Sequence, residues 1–384
     1  SSLKSSPRDS SRVDMRLFKF WGSNKAENGK ELEKVVSVVG ATRQERSKNC
    51  SLESNPEEPP KRVRGPPEDE HNSSTEEVPL DFELLSEHDA ETARAVEVLR
   101  QLNLPVDATC LVPHRPSNIG SWDWTFPDNV HKIELSGSSL GDELAAALAT
   151  LLKPRKNESG SWSYPTSISS LLLSNAGIGA AGAVALAQML EPRIDDTGKW
   201  TYNDGLAKLD LSDNCIGDDG ATALAEALMP RQGRCGELHC NTTLKDVWLG
   251  GNRISVDGLE AIVEALFPAA YFASVDVPSS VEVLGLGHNA FGDEGACVLA
   301  GALAPVLRSD GKWVYQHCLK YLNVWGNSIS GEGSLSLLSA LRPRENKDGS
   351  WAFNTSLESL TMFRNHIDEA SKAEMRKIIA AVND

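Results

Sequence analysis

Residues 206–230 carry an apolar pattern that predicts a short strand followed by a helix. Leu209 and Leu211 have the two-residue spacing of a strand that buries one face. After a turn, apolar residues return every three or four positions, as on the buried face of a helix. Pro230 is expected to end that helix, because proline lacks the backbone N–H that a helix interior needs. The helical apolar residues are Ala221, Leu224, Ala225 and Leu228.

The same unit occurs seven times along the chain. The apolar residue that follows each turn recurs in steps of 38 residues, with one step of 37: Leu140, Ile178, Ile216, Ile254, Phe291, Ile329 and Ile367. Two residues earlier, five units carry an asparagine whose side-chain amide is expected to bond the backbone of neighbouring coils: Asn214, Asn252, Asn289, Asn327 and Asn365. The first two units have Ser138 and Ala176 instead. So regular a repeat predicts a solenoid, in which each coil packs against its neighbours.

The consensus LxxLxLxxNxIG, followed by GAxxLAxxL, resembles the leucine-rich repeats of the ribonuclease-inhibitor class. NOD-like receptors and Ran GTPase-activating proteins contain repeats of that class. The resemblance covers about residues 130–384. It implies an α/β horseshoe with a parallel sheet on the concave face and helices on the convex face. It does not fix the function, because one fold serves many functions.

Each unit is longer than an ordinary leucine-rich repeat of roughly 20–29 residues, because an insert precedes each strand. Most inserts end in Trp-x-aromatic, as in Trp162 and Tyr164. This spacing places both rings on one face of an extended segment, so we expect a ladder of aromatic strands in which each Trp seals a gap between coils. An exposed aromatic groove is the alternative. Two inserts lack the motif and carry Leu238 and Cys240, and Val275 and Val277, at its positions.

The chain divides into a tail, a capping segment and the repeats. Residues 1–80 are polar, lack a lasting periodicity and are predicted to be disordered. Residues 81–129 hold the first insert and a predicted amphipathic helix that caps the first coil. Residues 130–384 hold the seven repeats and end in a second capping helix from Glu369 to Val382. Within the tail, the aromatic and basic segment Arg16–Trp21 suggests a docking motif or a membrane-surface contact.

The sequence contains 38 Lys and Arg against 54 Asp and Glu, a net charge of −16. An acidic solenoid argues against nucleic-acid phosphates as the ligand. It suits a basic protein partner, or simply solubility. Scattered cysteines predict a reducing compartment, and no apolar run reaches the roughly 18 residues of a membrane span. We therefore expect a cytoplasmic protein, with a nuclear location as the alternative because Lys61–Arg64 resembles an import signal.

No catalytic residue, cofactor or metal site is predicted. Gly285–Ala290 matches the GxGxxA of dinucleotide-binding turns, but the repeat consensus explains its place in the chain. Cys235, His239 and Cys240 lack the spacing of a zinc site. Neither a P-loop nor an HExxH nor a GxSxG motif occurs.

Strand residues that point away from the core usually carry recognition in such solenoids. In the N-terminal half these residues are small or polar, whereas the C-terminal half carries large aromatics and an arginine, the residue types that dominate interface hot spots. Glycines between them, including Gly285 and Gly287, would leave a hollow. The alternative is that the aromatics mostly cover one another. We predict a partner-binding site of Trp248, Tyr321, Trp325, Phe363 and Arg364, with Asp246 and Asn323 beside them.

The sequence therefore predicts a non-catalytic scaffold or adaptor that binds a partner protein through the concave face and the inserts. One alternative is a GTPase-activating protein of the Ran type. The catalytic Arg and Asn of that family cannot be placed here, because Arg155 and Arg193 lie in inserts that the family lacks. The other alternative is the sensor fragment of a NOD-like receptor, which would require a nucleotide-binding domain outside this sequence.

Overall fold

The structure, a computed structural model, describes residues 131–156, 160–165, 167–267, 280–315 and 318–383. These residues hold a strand and a helix for each of the seven repeats. The tail predicted at 1–80 and the capping segment predicted at 81–129 lie outside the described residues. The same holds for Arg16–Trp21 and Lys61–Arg64.

One strand from each repeat enters a single seven-stranded sheet, in the order of the chain. Every neighbouring pair is parallel. The register joins equivalent residues, so that Lys132 lies beside Ser170 and Asp246 beside Val283. The strands are β1 (Lys132–Glu134), β2 (Ser170–Leu172), β3 (Lys208–Asp210), β4 (Asp246–Trp248), β5 (Val283–Gly285), β6 (Tyr321–Asn323) and β7 (Ser359–Thr361).

A helix follows each strand and packs against the helices of the adjacent repeats. The helices are α1 (Gly141–Leu152), α2 (Ala180–Leu190), α3 (Gly217–Leu228), α4 (Val256–Leu266), α5 (Gly292–Leu303), α6 (Gly331–Leu341) and α7 (Glu369–Asn383). With a parallel sheet on one side and helices on the other, the predicted α/β solenoid is confirmed.

The core lies between the sheet and the helices and runs continuously through the repeats. The middle residue of each of the first six strands is at most 2% exposed. Each buried leucine of this kind contributes about 1.5–3 kcal/mol to stability. Because side chains alternate along a strand, the first and third residues of each strand must point to the opposite side of the sheet. We call that side the open face. The middle residues are Ile133, Leu171, Leu209, Val247, Leu284 and Leu322.

A ladder of buried asparagines joins the coils where the strands end. Asn289 is typical: its Oδ1 accepts from the backbone N–H groups of Asn252 and Ile254, both at 3.0 Å. Its Nδ2 donates to the carbonyls of Leu249 and Leu286, also at 3.0 Å. The predicted bonding of these amides to neighbouring coils is therefore present. Because the turn backbone is buried, each amide satisfies groups that would otherwise lack partners.

The repeats alternate in how their helices begin. Asp142 in α1 reaches the start of α2, where its Oδ1 accepts from the backbone N–H groups of Gly179 (2.6 Å) and Gly182 (3.0 Å). Asp218 caps α4 in the same way, and Asp293 caps α6. Burial acts to raise the pKa of Asp293, but the hydrogen bonds from α6 outweigh it and lower that pKa. Carboxylates are favourable at helix N-termini, so these bonds couple the helices in pairs.

Each described insert folds into a two-stranded antiparallel hairpin. The turn contains a glycine at positive φ, such as Gly311 at 83°, a conformation that favours glycine. Asp310–Gly311 and Asp348–Gly349, turn dipeptides of the hairpin kind, lie in two of these turns. The paired strands are Arg155–Lys156 with Trp162–Ser163, Arg193–Ile194 with Trp200–Thr201, Arg231–Gln232 with Leu238–His239, Val306–Leu307 with Trp313–Val314, and Arg344–Glu345 with Trp351–Ala352.

The aromatic residues of the inserts join one hairpin to the next. The Trp162 indole N–H donates to the carbonyl of Ile194 at 3.0 Å, and Trp200 donates to Gln232 at 3.2 Å. Tyr315 is 1% exposed and donates to the carbonyl of Arg342, and burial raises the pKa of Tyr315 to about 12. The structure thus differs from the predicted ladder, because each aromatic strand pairs within its own insert. Adjacent inserts are joined mainly through side chains, with one backbone hydrogen bond from Lys347 to the carbonyl of Gly311.

The last helix, α7, covers the final repeat. Met375 is fully buried, and the Arg342 guanidinium donates to the Glu374 carboxylate at 2.8 Å. The predicted helix from Glu369 to Val382 is therefore present, with one further residue at its end.

Candidate protein-binding surface

The predicted site residues lie on the open face or directly beyond the strand ends. Asp246 and Trp248 are the first and third residues of β4, and Tyr321 and Asn323 are the equivalent residues of β6. Trp325, Phe363 and Arg364 follow β6 and β7. The register β4–β5–β6–β7 places Trp248, Gly285, Asn323 and Thr361 in one row across the sheet.

Trp248 crosses over β5 toward Tyr321. The two ring centroids are 6.0 Å apart and the planes are tilted by 38°. Between them lies Gly285, where an added Cβ would collide with the six-membered ring of Trp248. The Tyr321 hydroxyl is 3.1 Å from the Thr361 hydroxyl. The predicted hollow at Gly285 is therefore wrong, since the Trp248 ring fills it and aromatic side chains partly cover one another.

A second aromatic group surrounds Trp325. The His288 ring meets Trp325 edge-on, with centroids 3.9 Å apart and an interplanar angle of 82°. The Arg364 guanidinium carbon lies 5.0 Å from the Trp325 centroid, a cation–π distance. Phe363 is 62% exposed. His288 was not among the predicted residues, because it lies in a turn at positive φ (56°) and not at a strand position.

The two polar residues of the predicted site have different surroundings. The Asn323 Oδ1 accepts from the backbone N–H of Trp325 at 3.0 Å, so this side chain fixes the turn that carries the tryptophan. Asp246 is half-buried and lies in register between Lys208 and Val283. Asn323 thus positions the turn that carries Trp325, whereas Asp246 lies at the opposite end of the strands.

The Trp248 indole N–H has no hydrogen-bond acceptor among the described residues although its nitrogen is buried. An unpaired buried donor of this kind costs about 1–3 kcal/mol. This unfavourable free energy arises from a residue of the open face and not from a residue of the core. We conclude that Trp248 is held there by packing against Gly285 and Tyr321.

A row of charges lies where the strands begin in the C-terminal half. The Glu282 carboxylate lies 2.8 Å from the Lys245 ammonium and 2.5 Å from that of Lys320, on the coils to either side. Hydrogen bonds from these two lysines hold the pKa of Glu282 below its ordinary value. The sequence analysis did not examine this position, which directly precedes each strand.

The chemistry that was considered and set aside has structural explanations. Gly285 and Gly287 are buried in and after β5, and Asn289 belongs to the asparagine ladder. His239 bonds the Glu237 carboxylate at 3.2 Å. Within the described ranges, no three side chains of His, Cys, Asp or Glu cluster as metal ligands would. None of the helices described there is long and apolar enough to cross a bilayer.

Comparison with known families agrees with this architecture. A family model described as "Leucine Rich repeat" matches residues 206–225, 240–263 and 277–300. Together with the parallel sheet, these matches show a leucine-rich-repeat protein with an α/β solenoid fold. No curated protein matches the sequence.

One similar solved structure is titled "Leiomodin-1 Actin-Binding Site 2 (ABS2)". The similarity covers 66% of this chain and 82% of that chain, at 12% sequence identity and a TM-score of 0.25. At these values the likeness carries no inference about the function of this chain.

Proposed function

We propose that this chain is a non-catalytic scaffold that binds a partner protein through the C-terminal half of its open face. The carrying observation is Phe363, a large apolar side chain that is 62% exposed beside an ordered aromatic group. Burial of such a ring by a partner would contribute about 1.5–3 kcal/mol. The proposed contact residues are Trp248, Tyr321, Trp325, Phe363 and Arg364, with Asp246 and Asn323 beside them.

The arrangement of these side chains supports the proposal. His288 and Arg364 pack on Trp325, and Asn323 fixes its backbone. A partner would therefore meet an anchor that loses little conformational freedom on binding. Trp, Tyr and Arg are also the residues most enriched in interface hot spots. The net charge of −16 supports a basic partner rather than a nucleic acid.

We also propose that the repeats belong to the ribonuclease-inhibitor class. The supporting feature is a full helix in every repeat, 12 residues in α1, α3 and α5 and 11 residues in α2, α4 and α6. A cytoplasmic or nuclear location is part of the same proposal and rests on the scattered cysteines and on Lys61–Arg64.

The GTPase-activating alternative has less support. Arg193 pairs with Glu191 at 3.0 Å, and its guanidinium carbon lies 5.6 Å from the centroid of Trp162. A catalytic arginine must reach the substrate, whereas this side chain is held within its own row of hairpins. A GTP-hydrolysis assay would still be decisive if a small GTPase were captured.

The proposal can be tested by crosslinking and affinity capture from native cell extract. The wild-type chain would be compared with a Phe363→Ala/Arg364→Ala double variant, since both residues are exposed and their loss leaves the core intact. A Trp248→Ala/Trp325→Ala variant tests the more buried part of the same surface. We expect both variants to lose a partner that the wild type retains.

The matched control lies in the N-terminal half of the open face. Lys132→Ala/Lys208→Ala changes two residues of the same sheet row without touching the aromatic groups. This control should retain the partner, and circular dichroism should show that every variant is folded. If folded aromatic variants retained every partner, the proposed surface would be wrong.

A further inference from the structure

The sheet ends at β7 with an open edge. This strand pairs only with β6, and no further strand of the described residues lies beyond it. On the inner side, the backbone N–H of Ser359 donates to Lys320, and the carbonyls of Thr361 and Phe363 accept from β6 and the turn that follows it. Because alternate residues of a parallel strand bond to opposite sides, Leu360 and Met362 must direct their N–H groups outward.

A groove runs along this edge between β7 and α7. It has a volume of about 350 Å³. One wall consists of residues 358–363, and the other consists of α7 residues, including Ile379 and Ala380. Phe363 lies at one end of the groove and is the most exposed large apolar residue among those described. A narrow apolar groove beside unpaired backbone donors has the form that an added β-strand requires.

The helix wall also carries positive charge. Lys372 and Arg376 line the groove, whereas Glu358 is its only acidic lining residue. Both cations approach Glu369, at 2.8 Å and 3.9 Å, but the side chain of Arg376 remains 59% exposed. Because the Lys372 side chain is only 13% exposed, Arg376 is the accessible cation of the groove and favours an acidic group in a ligand beside it.

We propose that this groove binds an extended acidic segment of a partner protein, which pairs with the outer edge of β7. Alternate side chains of the added strand would point to opposite sides. Apolar side chains on one side of the added strand would contact Phe363, and acidic side chains on the other side would approach Lys372 and Arg376 of α7. The proposal rests on the protein-binding function above and adds a second contact for the partner, which shares Phe363 with the open face.

The test uses the full chain and peptides selected from a displayed random library. Selected sequences should alternate apolar and acidic residues. Their binding, measured by fluorescence anisotropy, should weaken by roughly tenfold in Arg376→Glu, because attraction becomes repulsion. Lys377→Glu makes the same charge change on an exposed residue of α7 outside the groove and should leave the affinity unchanged.

A backbone-methylated version of the selected peptide tests strand addition itself. Methylation of alternate backbone amides removes the N–H donors along one edge of the peptide. Two peptides would be made, methylated at the odd or at the even amides, and the one that loses the donors facing β7 should bind far more weakly. Equal binding of both registers, or equal loss in Arg376→Glu and Lys377→Glu, would overturn the proposal. The Trp248→Ala/Trp325→Ala variant should still bind the peptide. The experiments therefore distinguish a wrong proposal for the groove from a wrong proposal for the open face.

A photo-crosslinking amino acid at position 363 identifies the occupant. A crosslink to the selected peptide supports the proposal. In the absence of peptide, a crosslink to a second copy, or to residues 1–130 of the same chain, would show that the groove has another occupant and would contradict the proposal.

Discussion

The two halves of the open face share one backbone and differ in what they display. In the N-terminal half, β1 to β3 present no aromatic ring, and their outward residues are serine, leucine and charged residues, including the ion pair of Lys132 with Glu134. In the C-terminal half, β4 and β6 present Trp248 and Tyr321, and the aromatic residues Trp325 and Phe363 follow β6 and β7. The comparison teaches that outward positions can change freely while the inward apolar residues remain.

The largest expected effect concerns the asparagine ladder, which begins with Asn214 in the N-terminal half and continues through the C-terminal half. Asn289→Ala removes four hydrogen bonds to buried backbone groups. Since each buried group left unpaired costs about 1–3 kcal/mol, we expect a loss of about 3 kcal/mol in the free energy of unfolding. Urea denaturation would measure it.

Asp257→Ala is the control, because Asp257 is exposed on α4. This substitution should change the stability by less than about 0.5 kcal/mol. Equal stability of Asn289→Ala and the wild type would show that the asparagine ladder does not hold the coils together.

The second prediction disrupts the aromatic contact that distinguishes the C-terminal half from the N-terminal half. Gly285→Ala places a Cβ against the Trp248 ring and should displace it from Tyr321. Overpacking of this kind costs about 1–3 kcal/mol. The expected results are a lower urea midpoint, a changed near-ultraviolet circular dichroism spectrum and weaker capture of the partner.

A double-mutant cycle provides the control for Gly285→Ala. In a Trp248→Ala background the added methyl group meets no ring, so the second substitution should cost much less than it does in the wild type. Equal costs in both backgrounds would mean that the Trp248 ring does not occupy the space above Gly285.

Much of the fold could be predicted from the sequence because each coil repeats the same inward residues. The strand register, the helices and the bonding of Asn214 and its equivalents follow from a repeat of constant length. The pairing of helices by Asp142, Asp218 and Asp293 could not be predicted from one consensus, because it alternates between odd and even repeats. A comparison of alternate repeats would have revealed it.

The candidate site could be predicted only in part. Its residues follow from the register, but their contacts depend on which side chain turns over which neighbour. Trp248 lies over Gly285 rather than beside an empty hollow. His288 enters the group from a turn, and the groove beside β7 is formed together with residues of α7. Neither feature has a periodic signal in the sequence.

The smallest expected effect concerns the row of charged residues that directly precede the strands of the C-terminal half. The hydrogen bonds from Lys245 and Lys320 lower the pKa of Glu282 in the folded state. The stabilisation is therefore fully present above the unfolded pKa of Glu282 and is lost as the pH falls through the folded pKa. Glu282→Gln should lower stability at neutral pH and reduce its dependence on pH in the acid range.

Urea midpoints measured from neutral pH to about pH 3, below the ordinary pKa of glutamate, would test this prediction. Glu294→Gln, an exposed change on α5, is the control and should follow the wild-type curve. If Glu282→Gln and the wild type kept a constant difference at every pH, the lysines would not stabilise the ionised carboxylate. The charge row would then be an ordinary exposed feature, and the aromatic residues alone would separate the two halves.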